Sequence, residues 1–166
     1  IDVKGSFVVN NGDNSANDGT IQLTDYGNCV INVNSGAVAT INAGTFLGRI
    51  DKTGESYSTL KALGEKDAAV AEMNINSAVV KSSSAYGALY YKYAKGDVRN
   101  ADVESSNSSA LTNTRGIFAS TSSNVSLENC KISGVHSVHF GSTSAVIELI
   151  DNNVFKARTA IFNVSS

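Results

Sequence analysis

A six-residue pattern recurs along the chain: an apolar residue, a variable residue, a small polar residue, two variable residues and a second apolar residue. Its clearest copies begin at Ile75, Val98, Leu127 and Ile150, and a further copy begins at Ile41. The clear copies are spaced by 23, 29 and 23 residues, which matches one coil of a solenoid and leaves no room for the helix of a βαβ unit. The repeat therefore predicts stacked coils whose motif residues occupy equivalent rungs.

Further apolar segments follow the motif at variable offsets. They lie at 88–91, 116–119, 137–140 and 160–163. Two short stretches, 124–126 and 146–148, run directly into the motif. Each coil therefore carries at least two strands, and three strands per coil is a plausible arrangement. Differences in coil length fall in projecting turns, so the strands stay in register.

Composition favours strands and turns. The chain contains no proline, the residue that cannot donate to a strand ladder. Charged residues make up 17% of the chain and the net charge is −2, so no nucleic-acid partner is expected. No apolar run approaches the ~20 residues of a membrane span, so no membrane insertion is expected.

The predicted fold is all-β, a right-handed parallel β-helix that forms a single solenoid of about five to six coils over the single domain 1–166. Segments 3–8 and 21–23 are candidates for a first coil. Residues 47–74 are predicted to be a protruding loop insertion, in which apolar residues from Leu60 to Ala71 approach helical spacing. The loop thus holds either a short helix or an ordered surface excursion. Neither end shows an obvious cap, so we expect a fragment of a longer chain or a subunit that stacks through open solenoid ends.

The third motif position is asparagine in three successive copies, at Asn100, Asn129 and Asn152. Stacked coils place these side chains above one another at the ~4.8 Å spacing of paired strands. An amide both donates and accepts, and asparagine tolerates the left-handed backbone of a tight corner. The repeat therefore predicts a structural asparagine ladder.

The stretch 124–160, with its motif copies at Leu127 and Ile150, resembles the repeats of pectin-lyase-like right-handed β-helices. The alternation of 116–119 with 125–127 is similar to coils of autotransporter passenger domains and other bacterial β-helical adhesins. Such coils are shared by many unrelated activities, so the resemblance implies an architecture rather than a reaction.

The resemblance also implies where catalysis would occur, because pectin-lyase-like enzymes use acidic and basic side chains stacked on one strand face. The matching column here contains Arg99, Glu128 and Asp151. Two neighbouring carboxylates could supply an acid and a base for glycoside cleavage. With Arg99 beside Glu128, the same column is also an ordinary charge ladder on a solvated face, and this is the favoured interpretation.

Tyrosines cluster on one coil, where Tyr90, Tyr91 and Tyr93 lie close to Tyr86. An exposed strand of tyrosines offers flat apolar faces with polar tips, which suit stacking on carbohydrate rings or contact with a protein. Alternate tyrosines must point inward, so part of the cluster is expected to fill the core.

Cys29 and Cys130 are the only cysteines, and about three coils are expected to separate them, too far for a disulfide. We predict free, buried, structural thiols. His139 is predicted to face away from Val138 and Phe140 as a solvated side chain. His136 and His139 lack further ligands at zinc-like spacing, so neither a metal nor any other cofactor is expected.

The favoured function is a secreted or cell-surface β-helical protein, adhesive or structural, that binds a glycan, a host surface protein or neighbouring subunits. One alternative is a polysaccharide lyase or glycoside hydrolase of pectin-lyase-like architecture. Another is a self-assembling filament or surface-layer subunit. The favoured localisation is extracellular or at the cell surface, because the chain is charge-poor and rich in Ser, Thr and Asn.

Overall fold

The computed structural model describes residues 1–10, 19–23, 29–48, 57–82, 87–106 and 114–165. Within these ranges the chain forms seventeen strands and no α-helix. Every pairing between strands is parallel. The strands are β1 (Asp2–Val3), β2 (Ser6–Val9), β3 (Thr20–Gln22), β4 (Ile31–Asn34), β5 (Val38–Ile41), β6 (Thr45–Leu47), β7 (Leu60–Leu63), β8 (Ala71–Ile75), β9 (Ala78–Ser82), β10 (Leu89–Lys92), β11 (Ala94–Arg99), β12 (Ala101–Ser105), β13 (Arg115–Ala119), β14 (Asn124–Glu128), β15 (Lys131–Phe140), β16 (Val146–Asp151) and β17 (Val154–Val164).

The chain winds in a solenoid-like manner, because each strand as far as β12 pairs with the third strand after it. Three columns of stacked strands result. The first column holds β1, β4, β7, β10, β13 and the second halves of β15 and β17. The second column is a separate six-stranded sheet of β2, β5, β8, β11, β14 and β16. The third column holds β3, β6, β9, β12 and the first halves of β15 and β17, and these two long strands join it to the first column in one curled sheet.

The motif residues of the second column stack as predicted over four rungs. Ile41 pairs with Ile75, Ile75 with Val98, and Val98 with Leu127. All four side chains are fully buried. Alternation along each strand turns every second side chain into the shared core, so these residues form one continuous apolar column.

The prediction fails on the next rung, where Ile150 does not continue the column. Leu127 pairs with Leu149, and Glu128 then pairs with Asp151, so the register shifts between them. A strand with one extra residue leaves that residue unpaired. Leu149 therefore takes the place predicted for Ile150, and both side chains are exposed.

The second apolar position of the motif forms the core of the third column, as predicted. The residues in register are Phe46, Val80, Val103, Ile132 and Phe155. The apolar segments that follow the motif form the first column, as predicted, with Leu89, Ile117 and Val138 stacked and fully buried. The strands of the described residues therefore stack in three parallel columns.

The structure can be compared with two further predictions, the first strands and the loop over 47–74. The candidate segments 3–8 and 21–23 contribute to strands, since β1, β2 and β3 pair in parallel with β4, β5 and β6 respectively. The prediction of a loop over 47–74 is wrong for the later part of that range. Residues from Leu60 to Leu63 form β7 and pair with β4 and β10, and β8 begins at Ala71. The described residues 57–74 contain no α-helix, and residues 49–56 lie outside the described ranges.

Left-handed residues mark the corners between columns. Asn100, Asn129 and Asn152 have φ angles of 50°, 54° and 46° at the corner between the second and third columns. Tyr93 and Ser122, with φ angles of 47° and 49°, occupy the corner between the first and second columns. Asparagine visits this backbone region more readily than most residues because its short side chain bonds locally.

The asparagine ladder forms over part of its predicted length. Asn129 Nδ2 donates to Asn100 Oδ1 at 2.6 Å. Asn152 does not extend the ladder within the described residues, and its backbone N–H instead donates to Asp151 Oδ1 at 2.8 Å. Asn153 stabilises this last corner, because its side chain accepts a hydrogen bond from the Cys130 N–H at 3.1 Å.

A second run of asparagines extends the same edge toward the beginning of the chain. Asn76 Nδ2 donates to Asn42 Oδ1 at 2.6 Å, and Asn42 Nδ2 donates to Asn10 Oδ1 at 2.6 Å. Asn100 Nδ2 joins the two runs through the backbone oxygen of Asn76 at 3.2 Å. Hydrogen-bonded amides therefore follow this edge over five successive rungs.

Candidate functional site

The outer face of the second column carries a polar groove of about 210 Å³. Residues at one and three positions before each buried motif residue face outward, because strand side chains alternate. These positions form the groove, and its lining residues are Glu72, Asn74, Lys95, Gly96, Asp97, Asn124, Ser126 and Glu148. The site thus lies on the side of the sheet opposite the core column of Ile75, Val98 and Leu127.

One wall of the groove is built by β8 and the start of β11. Lys95 Nζ lies 2.9 Å from Glu72 Oε2, and Asn74 Nδ2 donates to Glu72 Oε1 at 2.7 Å. The hydrogen bond from Asn74, together with the hydrogen bond and positive charge of Lys95, lowers the pKa of Glu72 below its usual value. Both partners favour the ionised carboxylate, so Glu72 is held in one orientation.

Asp97 lies at the centre of the groove with both carboxylate oxygens engaged. Ser126 Oγ donates to Asp97 Oδ1 at 2.6 Å, and Arg99 Nη2 lies 3.2 Å from Asp97 Oδ2. The backbone N–H of Asp97 donates to Asn74 Oδ1 at 3.1 Å. A carboxylate, an amide, a hydroxyl and a guanidinium are therefore joined in one hydrogen-bonded network across three rungs.

Gly96 forms the floor of the groove between Lys95 and Asp97. A Cβ atom at this position would lie 1.9 Å from the backbone oxygen of Met73. This Cβ would point toward the core, where the Tyr91 ring lies 3.1 Å from it, so glycine lets β11 lie close to β8 beneath the groove.

A larger pocket of about 530 Å³ lies at the corner where the strands of the second column begin. Tyr93 lines it together with acidic, basic and hydroxyl side chains and the exposed Val70. The lining residues are Glu65, Lys66, Asp67, Ala68, Val70, Tyr93, Thr121 and Ser122. The Tyr93 backbone is anchored, since its N–H donates to the Thr121 oxygen at 2.8 Å. Tyr93 is half-buried.

The other predicted tyrosines are not available to a ligand. Tyr90 and Tyr91 are fully buried, which corrects their assignment to an exposed stacking surface. Tyr91 points into the core and donates to the backbone oxygen of Met73 at 3.2 Å, and burial strongly raises its pKa. Tyr90 lies on the opposite face and stacks on Phe118 with 4.9 Å between ring centroids. Tyr86 lies outside the described residues.

His139 continues the outer face of the first column beyond Phe118, and its predicted solvation is wrong. It is 3% exposed and meets the Phe118 ring edge-on at 4.9 Å. The amide nitrogen of Asn163 lies 2.8 Å from its Nδ1. Because that nitrogen only donates, Nδ1 accepts and the proton resides on Nε2, which donates to Ser165 Oγ at 2.9 Å.

Burial and neighbouring cations keep this imidazole neutral. Desolvation is the main cause, and the positive charges of Arg115 and His136 add to it, lowering the pKa of His139 to about 4. His136 is 8% exposed, and burial followed by the charge of Arg115 lowers its pKa as well. The two histidines therefore pack as neutral side chains rather than as surface groups.

The residues considered for catalysis form a charge ladder at the far end of the groove. Arg99 Nε lies 3.2 Å from Glu128 Oε2, and Glu128 pairs in register with Asp151. Asp151 Oδ1 accepts the backbone N–H of Asn152. Since Arg99 also contacts Asp97, the ladder continues the groove network.

Sequence reasoning concentrated on this ladder and missed the groove beside it. Glu72, Asp97 and Ser126 precede the buried motif residues of their strands by one or three positions, and Glu148 precedes the exposed Leu149 by one. Period-two alternation applied backward from each motif residue would have placed them on one outer face. The spacing of these residues therefore contained the information. The positions do not share a residue type, however, so no repeated residue marks them in the sequence.

The remaining chemical groups supply no second site within the parts of the chain that the structure describes. Cys29 and Cys130 are free thiols, as predicted; Cys130 is buried, whereas Cys29 is only partly buried. In the described ranges no three His, Cys, Asp or Glu side chains lie close enough together to hold a metal ion. The same ranges contain no helix that is long and apolar enough to cross a membrane.

Comparison of the chain with protein-family models, with curated proteins and with solved structures finds no match. The groove and the corner pocket therefore carry the functional argument through their own geometry.

Proposed function

We propose that this chain is a right-handed parallel β-helix, at the cell surface or secreted, that acts as an adhesive or structural protein and binds a glycan in the groove of its second column. Right-handed winding is supported by the rule that about 98% of parallel crossover connections have this hand. Export is supported by the charge-poor composition, with 17% charged residues.

The observation that carries the proposal is the convergence of polar side chains in the groove. The Asn74 side chain accepts the backbone N–H of Asp97 at 3.1 Å, and the Ser126 hydroxyl donates to the Asp97 carboxylate at 2.6 Å. A pre-organised set of donors and acceptors loses little conformational entropy when it binds a hydroxyl-rich ligand. The parallel ladder repeats these positions every ~4.8 Å, which suits an extended polymer.

Tyr93 supplies the aromatic surface that the groove lacks. This residue lines the corner pocket at the beginning of the strands that line the groove. A half-buried tyrosine packs its face on the apolar side of a sugar ring while its hydroxyl stays hydrated. The proposed site therefore combines a polar groove with one aromatic contact.

Glycan-array screening of the purified chain, followed by calorimetry on the best glycan, tests the proposal. We expect Tyr93→Ser to weaken binding about fivefold to tenfold, since an aromatic contact contributes about 1 kcal/mol. Lys81→Ala, on the outer face of the third column, is the matched control and should leave affinity unchanged. Absence of any bound glycan, or equal effects of the two substitutions, would contradict the proposal.

Self-association is a second candidate, favoured by the apolar side chains on the edge strands β16 and β17. Their exposed fractions range from 44% to 64%. The residues are Val146, Leu149, Ile150, Val154, Ile161, Phe162 and Val164. Unpaired strand edges with apolar side chains invite pairing with another chain. Light scattering that shows a constant monomer mass at rising concentration would remove this candidate.

A further inference from the structure

The negative charge of the chain is concentrated on the second column. Its strands carry five carboxylates and two cations, a net charge of −3, whereas the whole chain has a net charge of −2. The rest of the chain is therefore slightly positive. The charged residues of the column are Glu72, Lys95, Asp97, Arg99, Glu128, Glu148 and Asp151.

Both cations of this face are already engaged by carboxylates. Lys95 lies 2.9 Å from Glu72, and Arg99 lies 3.2 Å from both Asp97 and Glu128. Glu148 has no ion pair or hydrogen bond with the rest of the described chain, although it lines the groove. An anionic ligand would thus meet no free cation and one uncompensated carboxylate.

The hydrogen-bonding groups of the groove are partly engaged with one another. One N–H of the Asn74 amide donates to Glu72, and the hydroxyl proton of Ser126 is donated to Asp97. The Asn124 amide also lines the groove and can bond the hydroxyl groups of a glycan. The carboxylate of Glu148 is an acceptor that a charged donor of the ligand fits.

We infer that the glycan recognised by this groove carries protonated amino groups and is not a uronic-acid polymer. The inference rests on the proposed glycan-binding function and adds the charge of the ligand to it. Ammonium groups form charge-assisted hydrogen bonds with carboxylates, whereas uronate carboxylates are repelled by this face. The groove accommodates an extended glycan, and its carboxylates favour a glycan that is positively charged.

The test compares three oligosaccharides of equal length by calorimetry with the intact chain: glucosamine, N-acetylglucosamine and galacturonate oligomers. We expect the amino form to bind at least tenfold more tightly than the acetylated form, with an advantage that shrinks as salt rises. Glu148→Gln should reduce this advantage about threefold or more. Glu104→Gln, which removes a carboxylate from the third column, is the matched control and should change neither affinity.

Equal or tighter binding of the galacturonate oligomer overturns the inference, and so does equal binding of the amino and acetylated forms. If none of the three binds while another glycan binds on the array, the inference fails but the proposed function stands. If no glycan binds at all, the proposed function itself fails. A preference for the amino form that Glu148→Gln leaves intact overturns the assignment to this groove.

Discussion

The outer faces of the first and second columns share one backbone geometry and yet differ in exposure. On the first column, Tyr90, Phe118 and His139 point away from the core but are buried. On the second column, the equivalent outward residues Lys95 and Glu148 are exposed to solvent. Both faces have parallel strands in register. An outward position in a strand therefore does not by itself mean a solvated one.

The outer faces of the two columns contribute differently to the protein, one to its stability and the other to recognition of a ligand. The aromatic residues of the first column touch one another across rungs, at 4.9 Å between successive ring centroids. Arg115 adds a cation–π contact 4.9 Å above the Phe118 ring. On the second column, polar side chains bond one another and leave a groove. The first face contributes packing energy, and the second is free to meet a ligand.

The largest effect is expected from Phe118→Ala, which removes the central ring of the buried outer face. Loss of a packed aromatic side chain costs about 3–5 kcal/mol in the free energy of unfolding. Chemical denaturation followed by circular dichroism measures this loss. Asn124→Ala on the exposed face is the control, and its effect should stay within about 0.5 kcal/mol. Similar losses for the two variants would abolish the distinction between the faces.

An intermediate effect is expected from acidification through His139. Its pKa is about 4 in the folded chain and about 6.5 when unfolded, so the unfolded chain binds more protons between these values. The stability contributed by the neutral imidazole is complete above pH ~6.5 and is lost as pH falls toward ~4, a change on the order of 2–3 kcal/mol.

Stability measured against pH for the native chain and for His139→Gln checks this expectation. The glutamine retains polar atoms near Asn163 and Ser165 but does not titrate. The two profiles should therefore converge as pH falls from 6.5 to 4. Parallel profiles across that window would show that His139 is not buried in the way described.

The smallest loss of stability is expected at the corner between the second and third columns, where the asparagines stack. This corner belongs to neither outer face. Asn129→Ala removes the hydrogen bond to Asn100 and places alanine at a φ angle of 54°. A lost hydrogen bond and a strained left-handed residue together cost about 1–2 kcal/mol. Asn129→Gly should be milder, because glycine adopts this backbone without strain. If alanine proves no worse than glycine in thermal unfolding, backbone strain plays no part at this corner.

Sequence spacing predicted the core more accurately than the surface. The columns through Ile75 and Val80 follow from period-two alternation and a repeat of about one coil, both of which are local signals. The prediction failed at Ile150, where a register shift between β14 and β16 lets Leu149 replace it. It failed again at Leu60, where the spacing of apolar residues suggested a helix in a loop. The segment instead forms a strand that pairs with β4 and β10, and those partners are distant in the chain.

The candidate site was predicted only in part. Arg99 and Glu128 were placed correctly beside each other, and the ligand-binding role of Tyr93, which lines the corner pocket, stays a prediction. The burial of Tyr90 was not predictable, because it depends on packing of Phe118 and His139 from later rungs. The contacting rings are 28 and 21 positions apart in the sequence, and these unequal spacings produce no periodic pattern that could be recognised.

The repeat alone determined that strands stack in parallel and which side chains face the common core. That much follows locally, because a proline-free chain with apolar residues at fixed spacing can bury them only on one face of each strand. Tertiary structure decided which outward face is covered and which is open, where the register shifts, and how Glu72, Asp97 and Ser126 meet. Those outcomes depend on contacts between rungs more than twenty residues apart, and no single segment encodes them.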